Sequence, residues 1–177
     1  MSLVVTGYHG TNKTVADLIL QHGEKRFLMS ANDYDWLGKG VYFWQDSPQR
    51  ALDWAEKRHH DQAAVLVATI QLDSCLDLID DYWKRRLAEA FDTFKRTSEK
   101  HGKSLPTQTT LRHNLDRAII DHFIRCMARQ GVRIRCVRAA FQEGEPIYPG
   151  SAIYTLTHIQ IAVRDRALIS DILAYAP

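Results

Sequence analysis

At 177 residues, with 45% hydrophobic and 25% charged content, the chain has the length and balance of one soluble globular domain with a sizeable core. No run approaches the roughly 18 apolar residues of a membrane span, and the start Met1-Ser2-Leu3-Val4-Val5 has no basic stretch ahead of an apolar one, so neither a spanning helix nor a secretory leader is expected. The net charge of +2 hides an asymmetry: residues 84–138 hold 14 Lys and Arg against 5 Asp and Glu, a net of +9, which leaves −7 on the rest. Such a block suits an anionic partner, nucleic acid being the commonest, with solvated faces of amphipathic helices as the alternative. The three cysteines, Cys75, Cys126 and Cys136, are odd in number and far apart. That argues against a disulfide framework or a Cys-based zinc site and makes a reducing, cytoplasmic setting the expectation.

Taken in chain order, Leu3 to Tyr8 reads as a short buried strand. Thr14-x-x-Asp17 has the form of a capping box for a helix Val15–His22, which Gly23 ends. Residues 24–37 lack periodicity and read as a loop, and Gly40 to Trp44 as a second strand. Ser47-Pro48 supplies an N-cap and a first-turn proline for a helix to about His60. Ala63 to Leu72, the longest β-branched run, reads as a central strand. Asp80 to about Lys100 and Leu111 to Gln130 have helical spacing, joined by a loop over 102–110. Arg133-Ile134-Arg135-Cys136-Val137-Arg138 alternates as a strand with one wet, basic face. Phe141 to Tyr154 reads as a loop, Thr157 to Val163 as a strand, and Leu168 to Leu173 as a short last element. The class is α+β, a single domain over 1–177 with a helical pair inserted at about 81–130.

Two motifs carry the chemistry. Gly7-Tyr8-His9-Gly10-Thr11-Asn12-Lys13 closes the first strand, and Asp35-Trp36-Leu37-Gly38-Lys39-Gly40-Val41-Tyr42-Phe43-Trp44 runs into the second. Together they resemble the two halves of the NAD⁺ pocket in ADP-ribosyltransferases of the diphtheria-toxin-like, His–Tyr–Glu type. The resemblance implies an ADP-ribosyltransferase fold, a split and mostly antiparallel sheet around an NAD⁺ cleft. It covers about residues 3–80 and 133–169, and it is closest to bacterial ADP-ribosyltransferase-like proteins that carry glutamine at the glutamate position. On that basis His9 contacts a ribose hydroxyl, Gly10 with Thr11 borders the nicotinamide amide, and Tyr42 stacks on the nicotinamide ring. Phe43 is expected to face the core. Trp54 is a candidate for the second aromatic of the slot, with helix packing as the alternative. Asp33 and Asp35 are candidates for ribose contacts, with turn formation as the alternative.

The third position departs from the family. Alternation over Thr157 to Asp165 puts His158, Gln160 and Ala162 on one face, and Gln160 matches the glutamate. Its side-chain carbonyl can accept a bond from a ribose hydroxyl and so orient the substrate, but it supplies neither negative charge nor a base. Glu143 or Glu145, in the loop just before, is placed to supply what Gln160 lacks or to meet the acceptor. His59-His60-Asp61 is not read as a metal set, since adjacent residues do not share a helix face, and Gly38-Lys39-Gly40 lacks the P-loop spacing. No metal is expected. NAD⁺, as donor of ADP-ribose, is the one small-molecule partner.

These observations lead to an expected enzyme moving one ADP-ribose from NAD⁺ to a macromolecule. RNA or DNA is slightly favoured over protein as acceptor through Arg133, Arg135 and Arg138. By family analogy the setting is that of a bacterial toxin or phage-defence effector with an antitoxin as implied partner. The alternatives are a protein-targeting transferase, an NAD⁺ glycohydrolase, and a catalytically inactive module that binds NAD⁺ or ADP-ribose.

Overall fold

The computed structural model describes residues 3–32, 34–109 and 112–176. Among these residues seven strands and four α-helices run in the order β1 (Val4–Asn12), α1 (Lys13–His22), β2 (Val41–Gln45), α2 (Pro48–His59), β3 (Ala63–Gln71), β4 (Cys75–Asp77), α3 (Asp81–Lys100), α4 (Asn114–Arg129), β5 (Cys136–Phe141), β6 (His158–Val163) and β7 (Ile169–Tyr175). The strands form one sheet ordered β4-β5-β6-β2-β1-β3-β7. Every neighbouring pair is antiparallel except β4 with β5. The architecture is α+β with an open, mostly antiparallel seven-stranded sheet. No helix among the described residues is long and apolar enough to cross a membrane.

Several boundaries depart from the sequence reading. β1 runs four residues past Tyr8, because Gly10, Thr11 and Asn12 find partners in Val65, Ala64 and Ala63 of β3. The cap of α1 is Asn12, whose side chain accepts from Val15 N–H at 2.8 Å, and not a Thr14 capping box. β3 lies between β1 and β7, one place from the sheet edge and not at its centre. β5 begins at Cys136 and runs to Phe141, so the alternating 133–135 segment precedes the ladder. There Arg135 N–H donates to the Ser74 carbonyl, while its own carbonyl accepts from Arg164 and Asp165.

The two sheet faces are buried differently. On one, Phe43, Leu66, Ala68, Ile70, Ile161 and Val163 pack with Ala16 and Ile19 of α1 and with Phe27. Phe43 is fully buried there, as its place in β2 dictates, and such burial stabilises by about 2 kcal/mol. On the other, α4 sets Ile120, Phe123 and Met127 over Leu76, Val137, Ala139 and Ala162. Farther along the same face, α2 sets Ala51 against Trp44 and Val65. Between these two coverings the sheet is left open. α3 has no buried residue and lies on α4, with Trp83 against Phe123 at 6.2 Å and Phe94 against His122 at 5.3 Å.

Candidate active site

The open stretch of sheet is the floor of a cleft of ≈ 1050 Å³. Its position follows from strand pairing. β1 and β2 are matched only at Gly7–Gln45 and Tyr8–Trp44, after which β1 pairs with β3 alone among the described residues. Where the strands part, the His9 ring fills the gap: Nδ1 donates to the Tyr42 carbonyl at 2.8 Å, and the ring packs on Phe27 and Phe43 at 5.1 and 5.5 Å. A carbonyl only accepts, so the proton sits on Nδ1 and Nε2 is left as an acceptor in the neutral ring. Burial holds the His9 pKa below the ordinary value of 6.5, only partly offset by that bond.

Tyr42 borders the cleft with its hydroxyl committed to the loop above: it donates to the Gly38 carbonyl at 2.7 Å and accepts from Leu37 N–H at 3.1 Å. Burial, then the nearby Asp35 carboxylate, pushes its pKa far above the usual phenol value. The ring is therefore neutral and clamped. Gln160 stands directly across from Trp44 in the β2–β6 register. Its Oε1, expected from sequence to accept from a ribose hydroxyl, instead accepts from the Trp36 indole at 2.6 Å, which leaves the amide NH₂ to donate. Trp36 in turn packs on Phe141 at 4.8 Å.

Polar bonds among Ser30, Asn32 and Asp35 fix the segment next to Trp36. Asp35 is buried, its Oδ2 accepting from Ser30 Oγ at 2.6 Å and from Asn32 N–H; burial raises its pKa. That carboxylate serves the loop's own turn, which is the alternative the sequence left open. α4 braces the same loop, Arg117 donating to the Asn32 carbonyl at 2.7 Å. Gly38 adopts φ +80, where a side chain would be strained and would press on the Asp121 carboxylate.

Of the residues singled out from sequence, His9, Gly10, Tyr42, Trp54, Asp35, Glu143, Glu145 and Gln160 all line this one cleft. Trp54 does so while stacking obliquely on Trp44 at 5.9 Å. Gly10 has a second reason to be glycine: a Cβ there would collide with the Ala51 carbonyl, so its bareness lets α2 lie close on β1. Thr11 is buried in the β1–β3 ladder and does not line the cleft. Asp33 lies outside the described residues. Arg133, Arg135 and Arg138 are not at the cleft; Arg133 is exposed, but Arg135 and Arg138 are largely covered, so the three form no continuous wet basic face. Arg138 is bound to Asp77 at 2.9 Å and to Gln45 at 2.8 Å. Arg135 meets Asp165 at 3.0 Å and Asp73 at 3.6 Å, and Arg133 meets Asp165 at 3.3 Å. Three carboxylates from neighbouring turns and β4 thus neutralise them. On α3, helical spacing interleaves Asp81, Asp92 and Glu99 with Lys84, Lys95, Arg85 and Arg96, so the basic block is not one uniform surface.

The sequence reading missed Trp36, Trp44, Arg50, Arg58 and His59 as cleft residues. Arg58 lies over the rings of Tyr34 and Trp54 at 5.2 and 5.3 Å, and among the described residues it has no carboxylate partner. Arg50 donates to Glu143 at 2.6 Å. Only the position of Trp36 and Trp44 inside the second motif was a signal for any of these. No protein-family model, curated protein or solved structure matches this chain.

Proposed function

We propose that this chain is an NAD⁺-dependent mono-ADP-ribosyltransferase with the corresponding fold, its sheet parted between β1 and β2, and that its acceptor is a macromolecule. The observation that carries this reading is the convergence of His9, Tyr42 and Gln160, from three different strands, on one cleft. The cleft's volume is at the upper end of small-molecule sites, roughly 300–1,000 Å³. His9 Nε2 is an acceptor suited to a ribose hydroxyl. The clamped Tyr42 ring gives a flat face for nicotinamide, a contact worth on the order of 1 kcal/mol beyond area burial. Arg58, paired with no carboxylate among the described residues, offers positive charge to the pyrophosphate. The Gln160 amide, turned by Trp36, orients the reacting ribose.

The test is calorimetric titration of NAD⁺ into the protein, followed by incubation with adenylate-labelled NAD⁺ and cell extract. Digestion of the labelled product with nuclease or protease identifies the acceptor class. His9→Ala and Tyr42→Ala should abolish both binding and labelling; wild-type protein that binds no NAD⁺ overturns the reading. One observation favours a second reading. With an amide at position 160 fixed by Trp36, the expected glutamate carboxylate is missing, which suits a module that binds NAD⁺ without turnover. Release of nicotinamide separates the two.

A further inference from the structure

One flank of the cleft holds a polar cluster that NAD⁺ recognition leaves unused. Glu143 lies two residues past Phe141, which pairs with His158 at the end of the β5–β6 ladder. Its main chain is pinned there, its carbonyl accepting from Leu156 N–H at 3.1 Å. Its carboxylate Oε2 takes the Arg50 Nη2 bond at 2.6 Å and stands 4.0 Å from His158 Nδ1. Arg50 and Glu143 line the cleft with Gln160, and His158 shares a β6 face with Gln160. Glu145 differs: it is exposed, and its bonds are main-chain bonds to Thr155.

A second observation concerns the same flank. Trp44 Nε1, Arg50 Nε and His158 Nε2 are buried without a hydrogen-bond partner, three of the four such side-chain atoms among the described residues. The Trp44 and His158 rings are 6.4 Å apart, and Arg50 reaches Glu143 from α2. His158 Nδ1 donates to the Leu156 carbonyl at 2.6 Å, so its Nε2 is an acceptor. Buried polar atoms are almost always satisfied. His158 does not line the cleft, but Trp44 and Arg50 do, and their two unmet donors on the flank of a tethered carboxylate suit a polar guest that accepts there and gives its proton to Glu143, as a hydroxyl or amine does.

We propose that Glu143, held by Arg50, is the general base that takes the proton of the acceptor, a role the neutral Gln160 cannot fill. This rests on the reading that the cleft holds NAD⁺. A lone pair of the acceptor's hydroxyl or amine forms the bond to the nicotinamide-ribose anomeric carbon. The bond from that carbon to the pyridinium nitrogen breaks, its electron pair stays on nitrogen, and nicotinamide leaves neutral. The acceptor's proton passes to Glu143 and then to solvent. Arg50 is a positioning residue: it engages Oε2 and leaves Oε1 for the proton.

The experiment compares wild type, Glu143→Gln, Glu145→Gln and Arg50→Lys. The amide oxygen introduced by Glu143→Gln can still accept from Arg50, so this variant keeps the tether and removes only the base. NAD⁺ affinity by calorimetry and melting temperature should match wild type, while transfer of labelled ADP-ribose from NAD⁺ to extract falls about 100-fold or more. Glu145→Gln should lose far less transfer than Glu143→Gln. Arg50→Lys should lower the transfer rate and shift its pH profile while NAD⁺ affinity holds. Transfer by Glu143→Gln within about threefold of wild type, or a loss matched by lost NAD⁺ affinity or stability, overturns the proposal. Wild type that binds NAD⁺ but modifies neither extract nor water overturns it while sparing the binding reading. Wild type that binds no NAD⁺ ends both.

Discussion

Replacing Trp36 with phenylalanine isolates one bond. The indole N–H donates to Gln160 Oε1 at 2.6 Å, and the ring packs on Phe141 at 4.8 Å; phenylalanine keeps most of the packing and loses the donor. A polar atom stripped of its partner costs about 1–3 kcal/mol when buried. Gln160 is only half-buried, so water recovers part of this and about 1 kcal/mol remains. Because about 1.4 kcal/mol is a factor of ten, the amide's lost orientation should lower transfer efficiency about fivefold. The assay is the initial rate of label transfer with calorimetric NAD⁺ affinity beside it, run in wild type and in a Gln160→Leu background. On that background Trp36→Phe should change little, since the bond it breaks is already gone. Equal losses on both backgrounds, or none on either, would refute the claim that Trp36 acts through Gln160.

Gly10→Ala should cost about 1–3 kcal/mol of stability by forcing α2 away from β1, read as a lower denaturant midpoint, and should weaken NAD⁺ binding because Trp54 moves with the helix. Tyr42→Phe keeps the ring but frees Leu37 N–H and the Gly38 carbonyl, so amide exchange should quicken across 35–38 while β6 is unchanged. The His9 pKa is lowered by burial from 6.5, so its neutral form stabilises the fold fully above that value, and the contribution is lost as pH falls through the lower folded value. NAD⁺ affinity should hold near neutral pH and drop on the acid side with a midpoint under 6.5, a limb absent from His9→Asn. Asp165 is shifted the same way by a different cause: the Ala167 N–H, then Arg135 and Arg133, hold its carboxyl below 3.8. Asp165→Asn should therefore lower the melting temperature at neutral pH, an effect that shrinks as pH falls below 3.8 and through the lower folded value.

Much of the cleft lining that makes up the candidate site was legible because its signals are local. His9-Gly10 and Tyr42-Phe43-Trp44 sit in short strands whose alternation alone sends Tyr42 to the cleft and Phe43 to the interior, and the same rule placed His158, Gln160 and Ala162 together. What stayed hidden depends on long-range pairing. β4 is three residues long and exists only because Cys75, Leu76 and Asp77 lie parallel to Cys136, Val137 and Arg138; no periodicity fits in so short a run. The alternating arginines read as a wet face because their partners, Asp73, Asp77 and Asp165, are remote in sequence. Arg50 gave no signal for the same reason, since Glu143 meets it only after β5 and β6 have paired.

The meagre β1–β2 match has a mechanical consequence. β4-β5-β6-β2 and β1-β3-β7 are two leaves, each internally laced, joined along a seam of two residue pairs. His9, reaching over that seam to the Tyr42 carbonyl, is its side-chain stitch. What backbone pairing omits there, side chains supply: Phe43 and Ile161 of one leaf pack with Leu66 and Ile70 of the other beneath the cleft.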